Sequence, residues 1–219
     1  MVEAEIRTTR LISIEISEQT LRADLERYKQ KAIELGASQA EVIPAQLVQV
    51  DERVRLKCYV PQCGNYGSSG YCPPHAPDLE FMREAFSRFS WAVLLRNDVT
   101  PIEDFADWSR HLTEQAKHIK QSMEIIAKIE LMAFADGYYL AMGFGSGGCK
   151  TTLCGGMVCQ MLDSGRCRAP LRARPSMEAV GIDVYGLVTR VGWEIYPIYN
   201  GVDPKLVPCA SSIGIVFIH

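Results

Sequence analysis

The chain has 219 residues, 47% hydrophobic and 22% charged, with 23 Lys and Arg against 26 Asp and Glu for a formal charge of −3. That apolar mass supports a real core and excludes wholesale disorder, while the length suits one large domain or two small ones at about 150 residues each. No global positive field recruits nucleic acid, so no nucleic-acid partner is expected. No apolar run approaches the ~20 residues that span a bilayer, and acids in the opening MVEAEIRTTR stand where a signal peptide has basic and apolar regions. A cytoplasmic protein without a membrane partner is expected. In a reducing compartment its eight cysteines point to metal or redox chemistry rather than disulfides.

In chain order, the alternation of residues 10–16 predicts a short strand, and Ser17 caps a helix over 18–35 that places Leu21, Leu25, Tyr28, Ala32 and Leu35 on one face and stops at Gly36. EVIPAQLVQV (41–50) is strand-like, with Pro44 demoting its first half to an edge or bend. A first cysteine region (58–77) precedes a helix led by Asp78 and a strand over 91–95. Residues 103–135 read as one long helix or two in sequence, with Phe105, Trp108, Leu112, Ile119, Met123, Ile126 and Ile129 among the apolar positions. YYLAMGF (138–144) predicts a buried strand entering a second cysteine region (145–175). A last helix from Ser176 places Met177, Val180, Val184, Leu187 and Val191 on one face up to Gly192, and strands follow at 193–199 and 213–218. The expectation is one α/β domain over 1–219, a mixed sheet flanked by helices, with two long cysteine-rich loops at one end.

Cys58, Cys63 and Cys72 are spaced C-x4-C-x8-C, and Cys149, Cys154, Cys159 and Cys167 are spaced C-x4-C-x4-C-x7-C; Cys209 stands alone. Free cysteines often pack as small apolar groups, but these seven lie in Gly- and Pro-rich stretches outside any helix or strand period. Flexible glycine-rich chain can turn several sulfurs inward onto one metal centre. Spacing alone does not separate zinc from a [4Fe–4S] cluster. Three details favour iron: four cysteines in relay within one stretch, Pro73 and Pro74 directly after Cys72, and Arg166, Arg168, Arg172 and Arg174 near the last cysteine to offset a negative cluster. Those arginines also suit a solvated basic loop.

ERVRLKCYVPQCGNYGSSGYCPPHAPD (52–78), GYYLAMGFGSGGCKTTLC (137–154) and CRAPLRARPSMEAVGIDV (167–184) together resemble the predicted metal-binding proteins of domain of unknown function 2284, a family common in anaerobic bacteria and archaea. The resemblance implies metal binding, with the family's trio on Cys58, Cys63 and Cys72 and its second set on Cys149, Cys154, Cys159 and Cys167. It differs in spacing, four intervening residues standing where relatives often have two.

Other motifs are weaker. GFGSGG (143–148) satisfies a dinucleotide fingerprint, but no helical period follows, and as a phosphate loop it is out of step because Cys149 separates Gly148 from Lys150. His75 is read as a loop histidine; His111 and His118 share a helix face without a third ligand. Three functions remain. The first is a redox protein whose two [4Fe–4S] clusters exchange electrons with a partner protein, Cys209 completing the first cluster. The second is an iron–sulfur oxidoreductase whose three-cysteine cluster leaves one iron open to a small-molecule substrate. The third is a structural zinc protein.

Overall fold

The computed structural model describes residues 9–107, 110–199 and 202–219, without the side chains of His111 and Leu112. Trp108, expected on the long helix, therefore lies outside the described residues. The elements in order are α1 (Glu18–Glu34), β1 (Gln39–Pro44), α2 (Glu52–Leu56), α3 (Leu79–Ser87), β2 (Trp91–Asp98), α4 (Glu103–Ala106), α5 (Ala116–Ala135), β3 (Met142–Phe144), α6 (Cys149–Cys154), α7 (Gln160–Ser164), α8 (Val184–Arg190) and β4 (Ser211–Phe217).

The strands form one sheet in the order β1-β2-β4-β3. Its class is α/β as expected, but every ladder is antiparallel where a mixed sheet was expected. Period two along the strands divides the molecule into layers. Ala92 and Leu94 of β2 with Ile213, Ile215 and Phe217 of β4 face α3 and α8, where Phe86 stacks on Phe217 at 4.5 Å between ring centres. Val93, Leu95 and Val216 face the opposite layer, built from Leu21, Leu25 and Tyr28 of α1 and Ile125, Ile126 and Ile129 of α5.

The caps explain several boundaries. Ser17 accepts from the Thr20 amide at the start of α1, and Asp78 accepts from the Glu80 amide at the start of α3. Other expectations are corrected. Residues 10–16 form no strand; Leu11 and Ile14 are exposed, and Arg10 is tied to Asp24 at 2.6 Å. The strand expected over 138–144 is confined to Met142–Phe144. The stretch 193–199 is irregular and unpaired in strand terms, because Pro197 removes a ladder donor. The single helix expected over 176–191 is a 3-10 turn at Glu178–Val180, a left-handed Gly181 (φ +81°), then α8 with its own cap at Asp183. A Cβ at Gly181 would meet Leu79 and Val50 at 2.7 and 3.0 Å, so close packing fixes the break.

Candidate metal centre

The first three cysteines follow α2 in a run of turns. The Cys58 amide donates to Arg55, the Cys63 amide to the Cys58 carbonyl and the Cys72 amide to Ser69, while the Gly67 amide donates to Pro73 at 2.7 Å and closes the run. The second group is partly helical, contrary to expectation: Cys149 and Cys154 begin and end α6, and Cys159 precedes α7. The glycine motif at 143–148 thus does open a helix, but one of six residues that ends at left-handed Gly155. Glu130 on α5 anchors the segment, accepting from the Gly143 amide at 2.7 Å and from Arg174 at 2.5 Å.

All eight cysteines are free thiols. Burial pushes Cys58 upward, with the neighbouring Cys63 and Cys72 adding to the effect. Burial also raises Cys72 and pushes Cys149 up to about 12. The fully buried Ser69, whose hydroxyl accepts from the Tyr71 amide at 3.4 Å, partly opposes the rise at both thiols. Cys159 goes the other way: burial works against its thiolate, but the amides of Gly70, Leu162 and Met161 and the Arg168 charge outweigh it. Cys63 and Cys167 accept backbone amides, from Asn65 at 3.5 Å and Ala169 at 3.4 Å. Tyr71 packs beside Cys149 and Cys167 in a small cluster with Ile119 and Met123 of α5.

The segment Ser69–Tyr71 therefore joins the two groups, with Tyr71 against Cys149 and Cys167 and Gly70 against Met161. Among the described residues no three His, Cys, Asp or Glu side chains close on a shared metal position. The donor chemistry nonetheless fits a thiolate-bound metal: neighbouring free thiols, amides aimed at sulfur and an arginine beside the most acidic-tending thiol.

Cys209 accepts from Arg96 at 3.4 Å, and Arg96 also donates to Asp98 and to the Glu194 carbonyl. The thiol lines a cavity of about 290 Å³ together with Ser146, Gly147, Tyr185 and Glu178. The Glu178 carboxyl is buried although the residue keeps some exposed surface, and burial raises its pKa. Of the arginines near the last cysteine, Arg174 is spent on Glu130, and Arg172 is 3.6 Å from Glu124. His75 is exposed. His118 pairs with Asp104 at 2.8 Å, and the side chain of His111 lies outside the described residues.

Sequence reasoning missed Ser69, whose only signal was a small polar residue three before Cys72. It missed Arg96, an internal charge within an apolar strand, and Glu178 beside the cavity.

Among the described residues no helix is long and apolar enough to cross a membrane. No curated protein and no solved structure matches the chain. A family model described as predicted metal-binding protein matches residues 41–215, which takes in all seven clustered cysteines and Cys209. The chain belongs to this predicted metal-binding family, domain of unknown function 2284 (DUF2284).

Proposed function

We propose that the chain is an iron–sulfur protein carrying two [4Fe–4S] clusters and exchanging electrons with a partner protein. The observation that carries this reading is the packing of the two cysteine-bearing segments on each other, Tyr71 against Cys149 and Cys167 and Met161 against Gly70. Cys149, Cys154, Cys159 and Cys167 supply one complete ligand set; Cys58, Cys63 and Cys72 supply three thiolates of the other. When bound, each cluster supplies a one-electron site whose potential answers to burial and to hydrogen bonds on sulfur. The chain's part is to hold thiolates: Asn65 and Ala169 donate amides to sulfur, and Arg168 offsets charge at Cys159. Family membership supports metal binding; iron rather than zinc is supported by the four-cysteine relay and the nearby arginines.

Anaerobic purification with iron and acid-labile sulfide analysis tests it. Iron and sulfide in about equal amounts, with roughly half of each lost in Cys154→Ala or Cys159→Ala, is the expected result. A colourless zinc protein, or unchanged iron in both variants, overturns it.

The place of Cys209 favours a second reading, in which the three-cysteine cluster serves an oxidoreductase. Cys209 is held by Arg96 and faces the cavity that Glu178 also lines. In this reading a small-molecule substrate occupies that cavity and Cys209 stays on Arg96, which leaves the first group with three thiolates. Electron paramagnetic resonance of reduced Cys209→Ala separates the two readings: an altered spectrum with lost iron makes Cys209 the fourth ligand, whereas a wild-type spectrum and iron content favour the open site.

A further inference from the structure

We propose that the cysteine-bearing segments form the docking surface for an acidic one-electron carrier protein, a reading that rests on the iron–sulfur assignment above. Residues 53–77 and 145–175 hold eight of the 23 Lys and Arg and one of the 26 acids, Asp163. Their local charge is +7, against −10 for the rest of the chain. Some of this charge is committed: Arg53 pairs with Asp51, Arg55 is buried on the carbonyls of Ala76 and Pro77, and Arg174 pairs with Glu130. Lys57, Lys150, Arg166 and Arg168 have no ion-pair partner among the described residues, and all but Lys150 are exposed.

The same segments expose large apolar side chains. Val158 is 69% exposed and Leu171 80%, with Val60, Met157 and Leu162 also standing in solvent. Charge and apolar surface lie together: Arg168 donates to the Val158 carbonyl at 2.5 Å, and Met161 packs so closely on Gly70 that a Cβ there would sit 2.6 Å from its sulfur. Exposed apolar groups rimmed by one sign of charge mark a protein interface and steer a partner of opposite charge. Aliphatic and thioether groups predominate over the aromatic platforms that single-stranded nucleic acid stacks on, which favours a protein. Cys63 is exposed, and Cys154, Cys159 and Cys167 are partly so, which brings the sulfurs close to any protein docked here. With a cluster held by these thiolates, the reduced carrier would lose one electron and the cluster would gain it, with no bond formed or broken and no proton moved.

The test titrates the anaerobically prepared protein, after iron and sulfide analysis, with a plant-type [2Fe–2S] ferredoxin as acidic probe and with cytochrome c as basic probe, by calorimetry at low and high salt. Ferredoxin is expected to bind, and to bind about tenfold or more weakly at high salt and in Lys57→Glu/Arg166→Glu. Leu171→Ser should weaken binding while leaving the salt dependence in place; any binding of cytochrome c to the acidic remainder of the chain should not be weakened by Lys57→Glu/Arg166→Glu. No ferredoxin binding at low salt, binding indifferent to salt and to the charge reversal, or tighter binding of an oligonucleotide or an anionic phospholipid vesicle than of ferredoxin overturns the proposal. Ferredoxin binding to a protein without iron sustains the surface and removes the cluster assignment; iron without ferredoxin binding does the reverse.

Discussion

Cys149 is among the most deeply placed of the thiols, and burial pushes its pKa up to about 12, so on the proposed ligand set metal binding would release its proton. In an unfolded chain the same thiol ionises near ~8.5. The metal-free folded state therefore keeps protons that the unfolded state loses above that value. The stability involved is complete below about pH 8.5 and is lost as pH rises toward the folded pKa. Cys58 and Cys72 act in the same direction. The denaturation midpoint of metal-free protein is expected to fall as pH is raised beyond ~8.5, and to fall less steeply in Cys149→Ser. Equal slopes in the two proteins would remove Cys149 from the linkage. Ser69 belongs to the same scale: its hydroxyl favours both thiolates, so Ser69→Ala should weaken metal affinity about tenfold or more, read by competition with a chelator. Unchanged affinity would make Ser69 a packing residue only. The two cysteine groups stand out in the sequence by type and spacing, whereas a lone serine such as Ser69 has no pattern there.

The helix α5 shows how an element joins core and site. Its later residues Ile125, Ile126 and Ile129 cover the sheet, while Ile119 and Met123 pack with Cys149. The approach to β4 is so close that a Cβ on Gly214 would meet Ile126 at 2.4 Å. Gly214→Ala should therefore destabilise by about 1–3 kcal/mol, measured by urea unfolding. A cost near zero would mean that α5 withdraws easily from the sheet. The elements legible in sequence were those whose local signals agreed: α1 has a 3.6 period and a Ser17 cap, and β2 and β4 are apolar runs. The stretch 176–191 misled because its apolar period continues through Gly181, while the decisive contacts come from Leu79 and Val50 far away in sequence. The second cap, Asp183 accepting from the Gly186 amide, was the overlooked signal. Residues 193–199 alternate like a strand, yet Arg96 takes the Glu194 carbonyl instead of a neighbouring strand doing so.

At the scale of the molecule, the two large hydrophobic clusters on either face of the sheet contain no cysteine. Cys149 belongs to a third, smaller cluster of five buried residues, with Cys167 packed against it, that α5 shares with the cysteine segments. The sheet and its four covering helices thus hold themselves together by apolar burial, whereas the cysteine segments rely on turns, α6 and α7, and the Glu130–Arg174 pair. Regions with few buried apolar contacts open locally at lower free energy than the core, and on the proposed ligand set a metal would cross-link the very chain that lacks them. Removing metal with a chelator should then leave most of the secondary structure and the main unfolding transition in place, while trypsin gains access at Arg166 and Arg168, both exposed. Circular dichroism with limited proteolysis of metal-loaded and chelated protein reads both effects. If chelation instead collapses the main transition, the metal is integral to the sheet's stability, and this division between a self-sufficient scaffold and a metal-dependent site is wrong.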